Sequence, residues 1–88
     1  MSWTLLTNHG HVLLTVARQP DIRVQDLADV VGISKRAILL ILKDLEDAGY
    51  LERTKVGRRT HYTVRRHQPF RHPCEAYHDV DELIRIFC

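Results

Sequence analysis

VQDLADVVGISKRAILLILKDLEDAGYLERTKVGRRTHYTV, residues 24–64, carries the punctuation that decides the fold. Leu27, Val30 and Val31 recur at helical spacing behind Asp26, whose charge suits a first helical turn, and Gly32 supplies a stop. This predicts a short helix over 25–31. Ser34 is a good N-cap for a second helix running to Ala48, and Gly49 stands where a left-handed backbone ends it. The pattern then changes period. Residues 50–55, a turn at Val56-Gly57-Arg58-Arg59, and residues 60–64, in which Tyr62 and Val64 alternate with polar neighbours, predict a β-hairpin with one buried face.

Upstream, Thr7 or Asn8 can cap a helix whose apolar positions Val12, Leu13, Val16 and Ala17 share one side, ending before Pro20-Asp21. Ile22-Arg23-Val24 alternates, which predicts a stub of strand. Downstream, residues 66–74 hold two prolines without periodicity and read as a linker. Asp79 to Glu82 has the form of a capping box, and Val80, Leu83, Ile84 and Phe87 fall at i, i+3, i+4 and i+7, opposite Asp81, Glu82 and Arg85. The expected architecture is mainly α with a small β-hairpin (α+β): a three-helix core, a wing, and a C-terminal amphipathic helix. Residues 1–66 form the first unit and 67–88 a linker with its helix.

Within the helix after Ser34, Ile38-Leu39-Leu40-Ile41-Leu42 is apolar without a break, more than one face of a helix needs. At about 100° per residue, Ile38, Ile41, Leu42 and Leu45 cluster in an arc about 100° wide, the core side. Leu39 falls on the flank. Leu40 lies nearly opposite the core, on the outer face with Arg36, Lys43 and Asp47.

The net charge is only +2, but its distribution is uneven. Residues 53–66 contain six of the 13 basic residues and no acid, so the remainder holds seven basic residues against 11 acids. A cationic segment on an acidic body suits a polyanion. With 88 residues and 44% hydrophobic content, the chain builds one modest core, too small for a separate ligand-binding domain. No apolar run reaches the roughly 18 residues of a membrane span, and MSWTLLTNHG lacks a signal peptide's basic start, so a cytoplasmic protein without membrane contact is expected. Two cysteines, Cys74 and Cys88, are too few for a disulfide framework, and reduced thiols are expected.

Two helices about a Gly-Ile turn followed by a basic hairpin have the order of a winged helix-turn-helix. Leu27-Ala28 with Val31, then Gly32-Ile33-Ser34, then Leu45-Glu46-Asp47-Ala48-Gly49-Tyr50-Leu51 resemble the DNA-binding domains of the MarR and ArsR families of prokaryotic transcription regulators, in particular small stand-alone ones. The resemblance covers nearly half the chain. It implies a transcription regulator on double-stranded DNA, with the third helix in the major groove and the basic wing on the backbone or in the minor groove. The candidate DNA contacts are Ser34, Lys35, Arg36, Leu39, Leu40 and Lys43 on that helix, with Arg53, Lys55, Arg58 and Arg59 on the wing. These regulators usually carry polar or basic residues where Leu39 and Leu40 stand. One reading puts the leucines against thymine methyl groups while Arg36 and Lys43 meet guanine edges or phosphates; the other packs them on a protein partner. The competing class is therefore a winged-helix protein-interaction module without sequence-specific DNA binding.

Trp3, Leu5 and Leu6, with Val80, Leu83, Ile84 and Phe87, exceed what a small three-helix core covers, which predicts a homodimer reading two successive major grooves. The alternative folds the last helix back on its own domain. His67, His72, Cys74 and His78 are metal-ligand types, but their spacing matches no compact motif and reads as a polar linker. No nucleophile-base pair with a third member and no phosphate loop is evident. No cofactor, metal, catalytic residue or small-molecule substrate is assigned.

Overall fold

The computed structural model describes residues 3–88, so Met1 and Ser2 lie outside it. Its elements run α1 (Asn8–Arg18), α2 (Val24–Val31), α3 (Lys35–Asp47), β1 (Leu51–Val56), β2 (Arg59–Val64) and α4 (Val80–Phe87).

Each boundary has a local cause. The Thr7 side chain accepts from the Gly10 amide and Ser34 from that of Ala37, so α1 and α3 begin on side-chain caps. Gly32 has φ of 82°, a region costly to a residue with a Cβ, and the amides of Gly32 and Ile33 both donate to the Ala28 carbonyl. That closed turn ends α2 and leads the chain into α3. At the end of α3, the Tyr50 amide bonds the Leu45 carbonyl and the Gly49 amide that of Glu46, the paired bonds of a Schellman motif.

β1 and β2 pair antiparallel from Leu51↔Val64 to Val56↔Arg59, leaving the two-residue loop Gly57-Arg58. Gly57 has φ of 64° at the first loop position, which matches the right-handed twist of the flanking strands. Only the base of the hairpin is anchored: Leu51 and Tyr62 are buried, whereas residues 52–59 are exposed.

Val12 and Val16 of α1, Leu27 of α2, Ile38 and Leu42 of α3, and Leu51 of β1 form the centre of the core and are nearly inaccessible to solvent. Burying each of the larger ones contributes about 1.5–3 kcal/mol. Thr15, buried with them, donates its hydroxyl to the His11 carbonyl at 2.7 Å, so its burial leaves no orphaned donor.

Three local expectations are corrected. Ile22-Arg23-Val24 forms no strand: Ile22 turns into the core, Arg23 is the extended residue before α2, and Val24 is already helical. The neighbouring Pro20 carbonyl accepts one bond from the Tyr62 amide, a single contact in place of a third strand. Val30 does not join Leu27 in the core and is 61% exposed, because a helix of eight residues against a small core buries a narrow stripe. The stretch after β2 is not a free linker. The amides of Phe70, Val80 and Asp81 bond the carbonyls of His78, Gln68 and Arg66, so its two arms run antiparallel, and the Tyr50 hydroxyl bonds the Pro69 carbonyl.

This return path docks α4 on its own domain. Val80 and Ile84 are each 1% exposed and belong to the core, with Leu83 partly buried beside them. The expectation that Val80 and Ile84 serve a partner is thereby corrected. The capping box of Asp79 and Glu82 is present. Asp81, expected on the outer side, is mostly buried and paired with Arg66 at 2.5 Å and Arg85 at 2.8 Å.

The Arg66 hydrogen bond holds the Asp81 carboxyl below its ordinary 3.8; desolvation opposes this and the charge of Arg85 reinforces it. A depressed folded value means that the stabilisation is fully present above the unfolded value and disappears as the pH falls through the folded one. Asp81→Asn is expected to melt at a lower temperature than the parent at pH 7, with the difference shrinking below pH 4. Circular dichroism melts at both pH values check this, and equal melting at pH 7 would refute it.

Candidate nucleic-acid interface

The first half of α3 is open to solvent on the side away from the core. Lys35 and Arg36 are exposed, and Leu39 and Leu40 are 48% and 59% exposed. The surplus leucines are thus surface residues, as their helical phase requires, while Ile38, Ile41, Leu42 and Leu45 are buried. Lys43, one turn further, is drawn to Asp47 at 3.1 Å.

The basic segment proves to be two populations. Arg53 is held by Glu46 of α3 at 2.8 Å, Arg65 by Glu52 at 2.6 Å, and Arg66 by Asp81. The hydrogen bond between Arg53 and Glu46 lowers the acid's pKa and raises that of the base. Arg53, a candidate DNA contact by sequence, is therefore partly committed to the join between α3 and the wing. Lys55, Arg58 and Arg59, at and beside the hairpin tip, have no carboxylate at ion-pair distance among the described residues.

Arg23 was missed by the sequence reading. It lies directly before α2, and a groove of about 420 Å³ between that turn and the wing is lined by Arg23, Arg58 and Arg59. The signal was a cation next to a helix start, masked by the strand assignment. Asp21 lines the same groove, but its carboxylate engages His61 of β2 at 2.8 Å, tying the wing to the turn after α1. With Lys35 and Arg36, six cations on the helix-turn-helix and the wing have no carboxylate partner among the described residues.

Outside these elements, Trp3, Leu5, Tyr77, Ile86 and Phe87 are 76%, 89%, 96%, 72% and 51% exposed, while Leu6 is partly buried. Ile86 and Tyr77 were not anticipated; Ile86 falls outside the i, i+3, i+4 stripe that marks the core side.

The candidate ligand cluster separates. His67 turns to Asp79 and His78 to Glu82, whereas His72, Cys74 and Glu75 keep one donor atom each within 4.8 Å of one another. Nitrogen, thiol and carboxylate are donors compatible with zinc, but all three residues are exposed in one surface turn, and His72 Nδ1 accepts from the Cys74 amide.

A helix-turn-helix on a three-helix core, followed by a cationic antiparallel hairpin, defines a winged-helix protein of the DNA-binding regulator class. The MarR family model matches residues 6–56, more than half of the chain, and the chain belongs to that family. Among solved structures it is similar to the AntR antimony-specific transcriptional repressor, with a TM-score of 0.56 and 26% identity over 88% of this chain and 60% of that one. It is also 37% identical over 49 residues to a riboflavin kinase of Thermococcus kodakarensis, a match spanning 56% of this chain and 23% of the kinase. The chain thus spans less than two thirds of either relative. No described helix is long and apolar enough to cross a membrane.

Proposed function

We propose that this chain is a homodimeric transcription regulator whose α3 enters the major groove of duplex DNA while its wing follows the backbone or enters the adjacent minor groove. The observation that carries the reading is selective neutralisation. Among the described residues, carboxylates pair with Arg53 and Arg65 at the base of the wing, with Arg66 and Arg85 on the α4 side and with Lys43 on α3, whereas Arg23, Lys35, Arg36, Lys55, Arg58 and Arg59, with Arg18 and Arg71 elsewhere, have no such partner. Ser34 caps the helix whose first turns carry the base-contacting positions in this docking mode. In this reading residues through 66 carry the DNA contacts. Residues 67–88 close the core and present part of the dimer surface.

The exposed apolar group at the ends of the chain supports the dimer. Trp3, Leu5, Ile86 and Phe87 are large side chains that the domain leaves uncovered, and a two-fold partner would bury them.

If six cations neutralise about six phosphates, the logarithm of affinity should fall with the logarithm of salt concentration at a slope near −5. Fluorescence anisotropy of a labelled duplex across a salt series measures it. A flat salt dependence, or no retention at low salt, would favour the protein-interaction module instead.

A further inference from the structure

We infer that Leu39 and Leu40 make this regulator a reader of thymine methyl groups, so that its operator is specified by thymines at the positions beneath α3. The inference rests on the proposed docking of α3 on DNA and adds what that helix selects.

The two leucines lie in the second turn of α3, each one turn beyond a free cation: Lys35 precedes Leu39 and Arg36 precedes Leu40 by four residues. On a helix such pairs are neighbours on the surface. Each column therefore presents a cation followed by a branched apolar group, and neither cation is neutralised by a carboxylate among the described residues. An apolar protein partner would have to desolvate Lys35 and Arg36 without compensation. A DNA groove meets both requirements, since phosphates and purine acceptors satisfy the cations, while the thymine C5-methyl is the apolar group that a major groove offers.

The alternatives at the leucine positions are poorer chemically. Against guanine, a leucine covers the N7 and O6 acceptors without donating to either; against adenine and cytosine, it leaves an amino donor unpaired. Lys43, the next cation along this face, is tied to Asp47, so guanine reading falls chiefly to Lys35 and Arg36 at the start of the helix. The expected operator pairs a cation-contacted step with an adjacent thymine-bearing step.

The test separates this inference from the function on which it rests. Duplexes selected by the full chain from a random library are resynthesised with each thymine replaced in turn by deoxyuridine, which removes only the methyl. Loss of one buried methyl-sized contact should weaken binding about fourfold, and loss of two about fifteenfold. Leu40→Ala should bind the selected thymine and uracil duplexes with nearly equal affinity at its own step while keeping the parent's salt slope. Retained binding with no thymine-to-uracil difference at any position would overturn the thymine assignment and leave DNA binding standing. Failure of the parent to select or retain any duplex at low salt would overturn both. A Leu40→Ala variant that keeps the full methyl dependence, with Leu39→Ala doing the same, would overturn the roles of these residues.

Discussion

Replacing Arg58 and Arg59 together by alanine is expected to weaken binding about a hundredfold on every duplex, whatever its sequence. Each arginine stands at an exposed hairpin tip with no carboxylate partner among the described residues, so its charge is available to phosphate. A charge-assisted contact to phosphate contributes about 1.5–3 kcal/mol, and solvent screening at an exposed tip favours the lower bound, giving about tenfold per arginine. The salt slope should also become shallower by about two, because two fewer counterions are released. Fold should not change, since the hairpin is held by Leu51 and Tyr62 at its base. Titration of selected and unrelated duplexes at several salt concentrations measures both effects. A loss confined to one sequence would place these arginines on bases, and unchanged affinity would remove the wing from the interface.

Charging Ile86 and Phe87 together, as Ile86→Asp with Phe87→Asp, is expected to give a folded monomer whose affinity for a two-half-site operator is about a hundredfold lower. Both side chains are mostly exposed in the single domain, so carboxylates there cost the monomer little, whereas in a two-fold interface they would be desolvated and unpaired. Losing the dimer removes the effective-concentration advantage of the second half-site and leaves single half-site affinity nearly unchanged. Ile84→Asp is the control with the opposite outcome. Ile84 is 1% exposed, and an uncompensated charge there costs several kcal/mol, a large part of a small domain's total stability. It should unfold rather than dissociate. Sedimentation of all three proteins with operator titrations decides the matter, and a parent that is monomeric at micromolar concentration would sink the dimer.

The periodicity of residues 24–64 sufficed for the order of elements, since Gly32, Ser34, Gly49 and Gly57 act through their own backbone and immediate neighbours. Helical phase likewise separated Leu39 and Leu40 from Ile38, Ile41, Leu42 and Leu45 without knowledge of what packs on α3. Such signals are local, and a sequence states them directly.

Contacts between segments distant in the chain were not legible. The segment 53–66 looked uniformly free because its acidic partners lie elsewhere: Glu46 on α3, Glu52 just before it, and Asp81 on α4. Arg23 gained its place beside the wing arginines through chain closure over more than thirty residues, which no local pattern encodes. The α4 stripe showed that the helix had an apolar side but not what covered it. An amphipathic pattern measures the face to be buried and is silent on whether the cover is the same chain or a second one. The antiparallel return of residues 66–70 on 78–81 assigned Val80 and Ile84 to the chain's own core and left Ile86 and Phe87 outside. The sequence alone thus determined the helix-turn-helix, the wing and the outward leucines, through capping, glycine conformation and helical phase. Tertiary structure decided which cations remain free and which apolar residues remain exposed, because pairing and burial depend on neighbours that only folding brings together.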